Sequence, residues 1–524
     1  MYKLYILTLL GIAFALNTPF PCIPKNVKFG IVCVCNSTYC DTLNIPESNE
    51  SKRFTLVTSS KGGERFSYSE GAFSSRIIKV NRPVSFLYIN TREVRQQIHG
   101  FGTAISGAVT YVLNKLSPKL REYVYNSYYS SDVGMGYEFM RVPIGGTDFE
   151  YSGPWAYNET PEEDISLSNF TQLDQRDVEN NFHIREMMRV SKNASIKVLA
   201  AAWSPPRWLK VKYEWENSLG NELKPEYYQT WANYHLKWLD LMEKDKVKIF
   251  ALSTGNEPAT AATGQIPFQI LGWRASNQAK WIAENLGPTI ANSNYSHVQI
   301  HGYDDNRDKS LSWISEMKET YPKSMSYIQA FNIHGYLDRM TSPSILDQIH
   351  WAYKDKPILY SEMSFGAMNS VGEYGPRLGS WERAEQLINI LISALNHFVV
   401  SYIDWNMILD QNGGPNYIKN YLDAMIMTNA DFTELYKQPL FYAMAHFSRF
   451  IPPKSVRIDT KLIGIHVQQV QTLAFLRPDK KISVILYNNN TLQSTYLKIM
   501  NWSKGLALIE LKPKSINTFI YSIE

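Results

Sequence analysis

Eight short apolar or β-branched runs, most of them separated by longer segments with helical spacing, fill the middle of this chain. The runs are His99–Ala104, Met135–Ile144, Ile196–Trp203, Val247–Thr254, His297–Asp305, Ile328–Tyr336, Pro357–Ser361 and Val399–Asn406. The segments with helical spacing include Leu116–Tyr129, Tyr227–Glu243, Ala275–Leu286 and Trp381–His397. Eight buried strands that alternate with helices predict an α/β fold, a (β/α)8 TIM barrel, which we place at residues 96–436.

Nearly every one of these runs ends on a polar or aromatic side chain. The end residues are Arg141, Trp203, Asn256, Glu257, Asp304, Asp305, His334, Glu362 and Asp404. In a barrel of this kind the active site lies at the carboxyl ends of the strands. Most glutamates are solvated surface groups. Two carboxylates on separate strand ends, however, are what glycoside hydrolysis requires, so Glu257 and Glu362 are the candidate catalytic pair.

The two ends of the chain have a different pattern, with short alternating runs separated by Gly, Ser and Pro. At the amino-terminal end these are Phe54–Val57, Ser75–Val80 and Phe86–Ile89. Near the carboxyl end they are Ile463–Gln469, Thr472–Arg477, Ile482–Asn488, Ser494–Ile499, Leu506–Leu511 and Ile516–Ser522. The amino-terminal runs lack a core of their own. We therefore predict one all-β sandwich built from both ends, with strands from residues 16–95 and 437–524.

The first 15 residues and the cysteines indicate export. Met1–Ala15 combines one lysine, a short apolar stretch and an Ala-Phe-Ala ending, which is typical of a signal peptide and short for a membrane span. An even number of cysteines in an exported chain predicts disulfides. Of three connectivities we favour Cys22–Cys33 with Cys35–Cys40. N-x-S/T sequons, the candidate glycosylation sites, lie at Asn36, Asn49, Asn158, Asn169, Asn193, Asn294, Asn489 and Asn501.

Charge and composition argue against several classes of function. The net charge is only +4, and no basic run is interleaved with aromatic residues, so we expect no nucleic-acid partner. No other run is apolar for the 18 residues of a spanning helix, so we expect a protein that is not transmembrane and enters the secretory pathway. The cysteine spacings fit a zinc site poorly, and we expect neither a metal nor an organic cofactor.

Several motifs, in their order along the chain, resemble glycoside hydrolase family 30, and within it the acid β-glucosidases (glucosylceramidases). They extend from residue 21 to residue 452. The motifs are PCIPK and VCVCNSTYCD (Pro21–Asp41), HGFGTA (His99–Ala104), RVPIGGTDF (Arg141–Phe149), AWSPPRWLK (Ala202–Lys210), NEP (Asn256–Pro258), RLGSWER (Arg377–Arg383), DWN and GGPNY (Asp404–Tyr417) and YKQPLFYAMAHFSRFIP (Tyr436–Pro452).

The resemblance implies a retaining β-glucosidase of the lysosome that hydrolyses the glycosphingolipid glucosylceramide at a membrane surface. A saposin-like activator protein would be a partner; secretion is the alternative destination. Glu257 matches the general acid/base and Glu362 the nucleophile, which should lie about 5–5.5 Å apart. We expect Arg141 to hold Glu362 ionised. The implied substrate-binding residues are Asn256, Trp203, Arg141, His334, Asn416 and Tyr402.

Four positions depart from the family pattern. Gly107 stands where the family has an aspartate that grips distal glucose hydroxyls, and Gly335 stands where it has a tryptophan after the pocket histidine. Tyr402 replaces a tryptophan, and Ile266 replaces a tyrosine at the entrance. Two alternatives therefore stay open. One is a retaining β-glycosidase of altered glycone or lipid specificity that uses the space freed at Gly107 and Gly335. The other is a weakly active or inactive homologue that binds sugar or lipid.

Overall fold

The computed structural model describes residues 20–75, 82–192, 196–367, 373–465, 467–501 and 503–524. The predicted signal peptide, Met1–Ala15, and the sequon at Asn193 lie outside the described residues. So does all but the first residue of the predicted strand Ser75–Val80.

Eight parallel strands close into a barrel. In chain order they are Gly100–Ala104, Phe139–Ile144, Lys197–Ala202, Ile249–Ser253, Gln299–Asn306, Ile328–His334, Ile358–Glu362 and Val399–Asp404, named barrel strands 1 to 8 below. Each strand pairs with its neighbours in sequence, and strand 8 pairs with strand 1. Each overlaps one of the eight apolar runs, so the predicted TIM barrel is confirmed.

Helices cover the outside of the barrel. The helices in the described part of the whole chain are Gly107–Lys115, Pro118–Tyr129, Gln175–Ser191, Tyr228–Lys244, Pro258–Ala261, Ala275–Trp281, Gly287–Ala291, Arg307–Thr320, Ser324–Tyr327, Ser344–Ala352, Trp381–Asn396 and Pro439–Ser448. A π-helical turn lies at Ile282–Leu286, and 3-10 turns lie at Arg207–Leu209, at Pro225–Tyr227 and, between two sandwich strands, at Val467–Gln469. Local sequence fixes some of their starts: Ser380, for example, caps its helix by accepting a hydrogen bond from the Arg383 amide. Among the described residues, no helix is both long and apolar enough to cross a membrane.

The side chains of the barrel strands alternate between the barrel interior and the helices. One apolar cluster inside the barrel comprises Phe139, Leu199, Ala251, Ala330, Leu359, Val400 and Ile403. Side chains two residues apart on a strand point the same way. Because Arg141 follows Phe139 by two residues and His334 follows Ala330 by four, both side chains face the interior at the carboxyl end of the barrel.

A nine-stranded mixed sheet, in which most neighbouring strands are antiparallel, forms the second domain. In spatial order its strands are Gly505–Leu511, Thr495–Asn501, Val84–Gln97, Val456–Ile463, Val470–Leu476, Lys481–Asn488, Ser515–Ser522, Arg53–Ser60 and Ser67–Ala72. The sheet folds over so that Gly505–Leu511 packs across Lys481–Asn488 and Ser515–Ser522, which are not its hydrogen-bonding neighbours. Strands from both ends of the chain share one apolar core. The predicted sandwich is confirmed.

The first strands of the chain do not join this sandwich, contrary to the assignment of residues 16–95. Pro24–Val27 and Gly30–Cys35 form a five-stranded sheet with Leu435–Lys437, Ile426–Thr428 and Ile408–Leu409. The structure pairs Cys22 with Cys33 and Cys35 with Cys40 within this segment. A short antiparallel pair, Asn217–Ser218 with Gln265–Ile266, lies elsewhere, beside the barrel.

The segment 437–524 also differs from the prediction that it holds sandwich strands alone. It begins with the helix Pro439–Ser448, all ten residues of which are buried. This helix packs on Trp381–Asn396 and on the sandwich strands Arg53–Ser60 and Ser515–Ser522. A helix that is buried all round has no polar face, and the sequence therefore shows no helical period. The run Ile463–Gln469 is the end of a strand followed by a 3-10 turn, not a strand.

A buried ion pair between Asp41 and Lys437 connects the amino-terminal segment that contains the two disulfides to the barrel domain. Lys437 Nζ lies 3.2 Å from Asp41 Oδ1, with both side chains at most 3% exposed. It also donates to the Asp41 carbonyl at 2.8 Å, and the Tyr442 hydroxyl donates to Asp41 Oδ2 at 2.6 Å. Each charge is thus compensated, as burial requires.

We expect Lys437→Ala to destabilise the protein by about 3–5 kcal/mol, because it leaves the Asp41 carboxylate buried without its cation. Urea unfolding followed by tryptophan fluorescence measures this loss. Lys25→Ala is the control: it breaks an exposed pair with Glu434 in the same sheet, where the expected loss is below about 1 kcal/mol. Equal losses in the two variants would contradict this account.

Candidate active site

The loop after barrel strand 4 places Glu257 at the carboxyl end of the barrel. Gly255 has φ +132°, which favours glycine, and Glu257 itself is left-handed, with φ 47° and ψ 51°. Pro258 then begins a short helix. The Glu257 amide donates to the Asp304 carbonyl at 2.9 Å, and the Asn256 amide donates to the Ala202 carbonyl at 2.9 Å. A left-handed glutamate held on two neighbouring strands marks a functional position.

Glu362, the last residue of barrel strand 7, is 5% exposed and is held by two donors. Arg141 Nη1 donates to one carboxylate oxygen, and the Tyr336 hydroxyl donates to the other at 2.8 Å. Burial alone would lower the pKa of Arg141, but the charges of Asp304 and Glu362 raise it above its usual value. Arg141 therefore stays a cation, and its guanidinium donates directly to the Glu362 carboxylate.

His334 lies between the two glutamates and Asp304. Its Nδ1 is 3.1 Å from Glu257 Oε1 and 4.0 Å from Glu362 Oε1, and its Nε2 is 3.1 Å from Asp304 Oδ1. Burial works to lower the pKa of His334, but the Glu362 charge and the hydrogen bonds to Asp304 and Glu257 raise it to about 10. The ring is therefore an imidazolium with an N–H directed at a carboxylate on each side.

The two candidate catalytic carboxylates are close together. One oxygen of Glu257, one of Glu362 and a ring nitrogen of His334 all lie within 4.8 Å of one another. These are atom types that can bind a metal ion. A doubly protonated His334, however, has no nitrogen lone pair in the ring plane to offer, and Arg141 already neutralises Glu362. The arrangement suits an acid/base and a nucleophile better than a cation site.

Asn256 and Trp203 lie against Arg141. Asn256 Oδ1 accepts a hydrogen bond from Arg141 Nη2 at 2.8 Å. The guanidinium carbon of Arg141 is 4.8 Å from the centre of the Trp203 ring, which stacks on Trp405 with 5.2 Å between ring centres. These side chains form one connected group beside the glutamates.

Asn416 hydrogen-bonds Asp148, and Asp148 in turn interacts electrostatically with Glu362. Asn416 Nδ2 donates to Asp148 Oδ2 at 2.9 Å, while its Oδ1 accepts from the amides of Ile418 and Asn420, each at 3.0 Å. Burial raises the pKa of Asp148 to about 7 against the lowering effect of Asn416 and Asn420, and the charge of Glu362 adds to the rise. Asp148 is thus close enough to Glu362 to interact with it electrostatically.

Tyr402, predicted to bind substrate, lies elsewhere. Its neighbour Ile403 belongs to the apolar cluster inside the barrel, whereas Tyr402 packs outside it in the large core, 6.5 Å from the Tyr360 ring centre. Tyr402 points away from the interior that its neighbour Ile403 faces. Val400 also faces the interior, because the pairing of barrel strands 7 and 8 shifts register at that residue. The aromatic residue that strand 8 brings to the site is Trp405.

With this geometry in view, comparison with known families gives a match along most of the chain. The family model for the glycosyl hydrolase family 30 TIM-barrel domain matches residues 98–451, and the model for the beta sandwich domain of the same family matches residues 454–519. The chain belongs to glycosyl hydrolase family 30. It is therefore a glycoside hydrolase, and its homologues support a β-glycosidase.

Relatives match this family member over nearly its full length. Putative glucosylceramidase 4 of Caenorhabditis elegans is 32% identical over 506 residues, covering 96% of this chain and 95% of the relative. Lysosomal acid glucosylceramidase of Mus musculus is 31% identical over 507 residues, with the same coverage. Among solved structures, SrfJ from Salmonella typhimurium superposes with a TM-score of 0.79 at 21% identity, covering 90% of this chain and 100% of that one.

The site contains four residues to which the sequence alone assigned no role. Tyr336 and Asp304 contact Glu362 and Arg141, Asp148 hydrogen-bonds Asn416, and Trp405 stacks on Trp203. Asp304, already noted at a strand end, and Tyr336, which ends an apolar run, could have been given a role. The other two follow their barrel strands in loops.

The two glycines that depart from the family pattern have different surroundings. A Cβ atom at Gly107 would overlap the carboxylate of Glu150, so a neighbouring side chain occupies that position. A Cβ atom at Gly335 would lie 3.3 Å from the Met363 sulfur and 3.4 Å from its Cγ, which is a tight contact without overlap. The space that the expected aspartate side chain would take at position 107 is therefore already filled.

We expect Gly107→Ala to destabilise the protein by about 1–3 kcal/mol, since the added methyl group overlaps the buried Glu150 carboxylate. Helix propensity alone predicts the opposite sign, because Gly107 is the first residue of a helix. Thermal unfolding of Gly107→Ala, Glu150→Ser and the double variant measures the coupling. The methyl group should be tolerated once Glu150 is shortened; additive effects would contradict the overlap.

Proposed function

We propose that this protein is a retaining β-glucosidase that hydrolyses glucosylceramide to glucose and ceramide. The proximity of Glu257 and Glu362, with an oxygen of each within 4.8 Å of the other, carries the proposal. Retaining enzymes have carboxyl groups about 5–5.5 Å apart, whereas inverting enzymes need about 6.5–9.5 Å to admit a water molecule. The relatives named glucosylceramidases support the choice of substrate.

In the first step, Glu362 attacks the anomeric carbon while protonated Glu257 gives its proton to the glycosidic oxygen. The ceramide alcohol leaves, and a glucosyl ester forms on Glu362. Arg141 and Tyr336 orient the two oxygens of Glu362 before the attack. The imidazolium of His334 lies beside Glu257 and stabilises the carboxylate that proton donation leaves behind.

In the second step, ionised Glu257 removes a proton from water, and the water attacks the ester to release glucose. Esterification removes the negative charge of Glu362, which had favoured protonation of Glu257. The same side chain can therefore serve first as an acid and then as a base. No step requires a cofactor.

The polar and aromatic groups around the pair suit a glucose ring. Asn256 presents an amide next to Glu257, Trp203 offers an aromatic face, and Asp148 with Asn416 supplies a buried carboxylate in place of the aspartate expected at position 107. Glu150 fills the space at Gly107, which argues against an alternative specificity that uses that space. The hydrogen bonds that hold Glu257 and Glu362 in place argue against the alternative of an inactive homologue.

The relatives also support a location and partners for the protein. One relative is named a lysosomal enzyme, and the two disulfides fit an exported protein. We place the protein in the secretory pathway and in the lysosome, acting on glycolipid at a membrane surface with a saposin-like activator. Among the candidate glycosylation sites, Asn36, Asn169 and Asn294 are at least partly exposed, whereas Asn158 is buried.

We expect Glu362→Gln and Glu257→Gln each to lower kcat/KM on a fluorogenic β-glucoside, Glu257→Gln by about 10²–10⁴-fold, because the acid/base is lost. Azide, a nucleophile that needs no base, should rescue Glu257→Gln on a substrate with an activated leaving group, but not Glu362→Gln. The exposed Glu382→Gln serves as control and should retain full activity. Full activity in either site variant would refute the assignment.

A 2-deoxy-2-fluoro-β-glucoside with a good leaving group should label Glu362 covalently, because the fluorine slows both steps and the leaving group speeds only the first. Peptide mass spectrometry locates the label, and a label on another residue would refute Glu362 as the nucleophile.

A panel of β-galactoside, β-xyloside and β-glucoside, followed by glucosylceramide in vesicles, then tests the glycone and the lipid. Preference for another glycone would favour the alternative specificity.

A further inference from the structure

We propose that Asp304 is a positioning residue that keeps His334 doubly protonated and Arg141 oriented toward the two glutamates. This inference rests on the proposed function of the site, but it concerns a residue that contacts neither the sugar nor the reacting atoms. Its role would be to set how many protons the catalytic group holds.

Asp304 joins four barrel strands through its carboxylate. One oxygen, Oδ1, accepts from His334 Nε2 at 3.1 Å and from Ser361 Oγ at 2.5 Å. The other, Oδ2, accepts from Arg141 Nη2 at 3.0 Å and from Ser253 Oγ at 2.6 Å. These donors come from barrel strands 2, 4, 6 and 7, and Asp304 comes from strand 5. The carboxylate is thus at the centre of the barrel end.

The backbone of strand 5 is distorted at this point. Tyr303 and Asp304 have positive φ angles of 74° and 63°, and the pairing with strand 6 shifts register between Tyr303 and Asp305. Positive φ in two successive residues other than glycine is uncommon and marks functional segments. The bulge turns Asp304 to the interior, while Asp305 accepts from the Ala259 and Thr260 amides instead.

We call Arg141, His334, Glu362, Asp304 and Glu257 the catalytic group. When Glu257 is protonated, Arg141 and His334 contribute two positive charges to this group, and Glu362 and ionised Asp304 contribute two negative charges that balance them. Burial works to raise the pKa of Asp304, but Arg141 and His334 outweigh it and hold the pKa far below its usual range. Asp304 is therefore an anion throughout the working pH range.

Removing that anion should make the group lose its proton more readily. The group would then carry a net positive charge with Glu257 protonated, which disfavours the proton on Glu257 and on His334 alike. The other titratable groups facing His334 are Glu257, Glu362, Asp305 and Tyr336, and all stay in place. Since Glu257 and His334 interact, the shift belongs to the pair.

The kinetic test compares Asp304→Asn with wild type in the dependence of kcat/KM on pH. The basic limb, which reports loss of the proton needed for the first step, should move to lower pH by about one unit or more. We expect kcat to fall more than KM rises, because the sugar contacts remain. A merely structural role for Asp304 would lower activity at every pH and leave the basic limb where it is.

Two control variants separate charge from packing. Ser361→Ala removes one hydrogen bond to Asp304 and keeps its charge. Asp177→Asn makes the same substitution at another buried aspartate, which accepts from Tyr157 and Trp238 away from the site. The basic limb of both should match wild type. A wild-type limb in Asp304→Asn, or an equal shift in Asp177→Asn, would overturn the proposal.

A second measurement requires neither the Asp304→Asn variant nor turnover of a substrate. In wild-type protein carrying ¹⁵N-histidine, with the His334 signals assigned by their loss in His334→Gln, both ring nitrogens should stay protonated up to pH 8. Deprotonation of either nitrogen at or below pH 8 would overturn the proposal even if Asp304→Asn fails to fold. Because it needs no turnover, this result is distinct from a failure of the proposed β-glucosidase activity.

Discussion

The constraint on which the site depends is the burial of charge at the end of the barrel. The guanidinium of Arg141 is fully buried, and a buried charge without partners is prohibitively costly. Its partners are Glu362, Asp304 and Asn256, contributed by barrel strands 7 and 5 and the loop after strand 4. Once these groups are fixed, the positions of His334 and Glu257 follow from the hydrogen bonds left to satisfy. The arrangement that makes the charges tolerable also brings together the two side chains that we propose as nucleophile and acid, Glu362 and Glu257.

The sequence was sufficient to predict the barrel because buried parallel strands are continuous apolar runs and the helices between them keep a polar face. It failed where that contrast is lost. The helix Pro439–Ser448 is buried on every side, so nothing in its composition distinguishes it from a core strand. The strands Pro24–Val27 and Gly30–Cys35 pair with each other, but the next strand of their sheet is Leu435–Lys437, in which Leu435 pairs with Cys35. Pairing between segments so distant in sequence leaves no local signal, so their sheet could not be predicted.

For the site, strand ends indicated Glu257, Glu362, Arg141 and His334, because the fold itself brings such ends together. Tyr402 shows the limit of that rule, since a shift of one residue along a strand reverses the direction of a side chain. The substitutions at Gly107 and Gly335 could be read from the chain only as losses. That Glu150 fills the space at Gly107 and that Met363 lies against Gly335 depends on contacts between separate segments, which only the folded structure shows.

The sandwich pairs neighbouring strands from opposite ends of the chain: Thr58 and Asn517, which share a hydrogen bond, are 459 residues apart in sequence. A ribosome therefore completes the whole barrel before Ser515–Ser522, one of the two partners of the strand Arg53–Ser60, exists. During synthesis this strand and its neighbour Ser67–Ala72 have an unpaired edge, which can aggregate or bind chaperones. The second domain can assemble only after release of the finished polypeptide, so folding of the amino-terminal strands depends on the residues that are synthesised last.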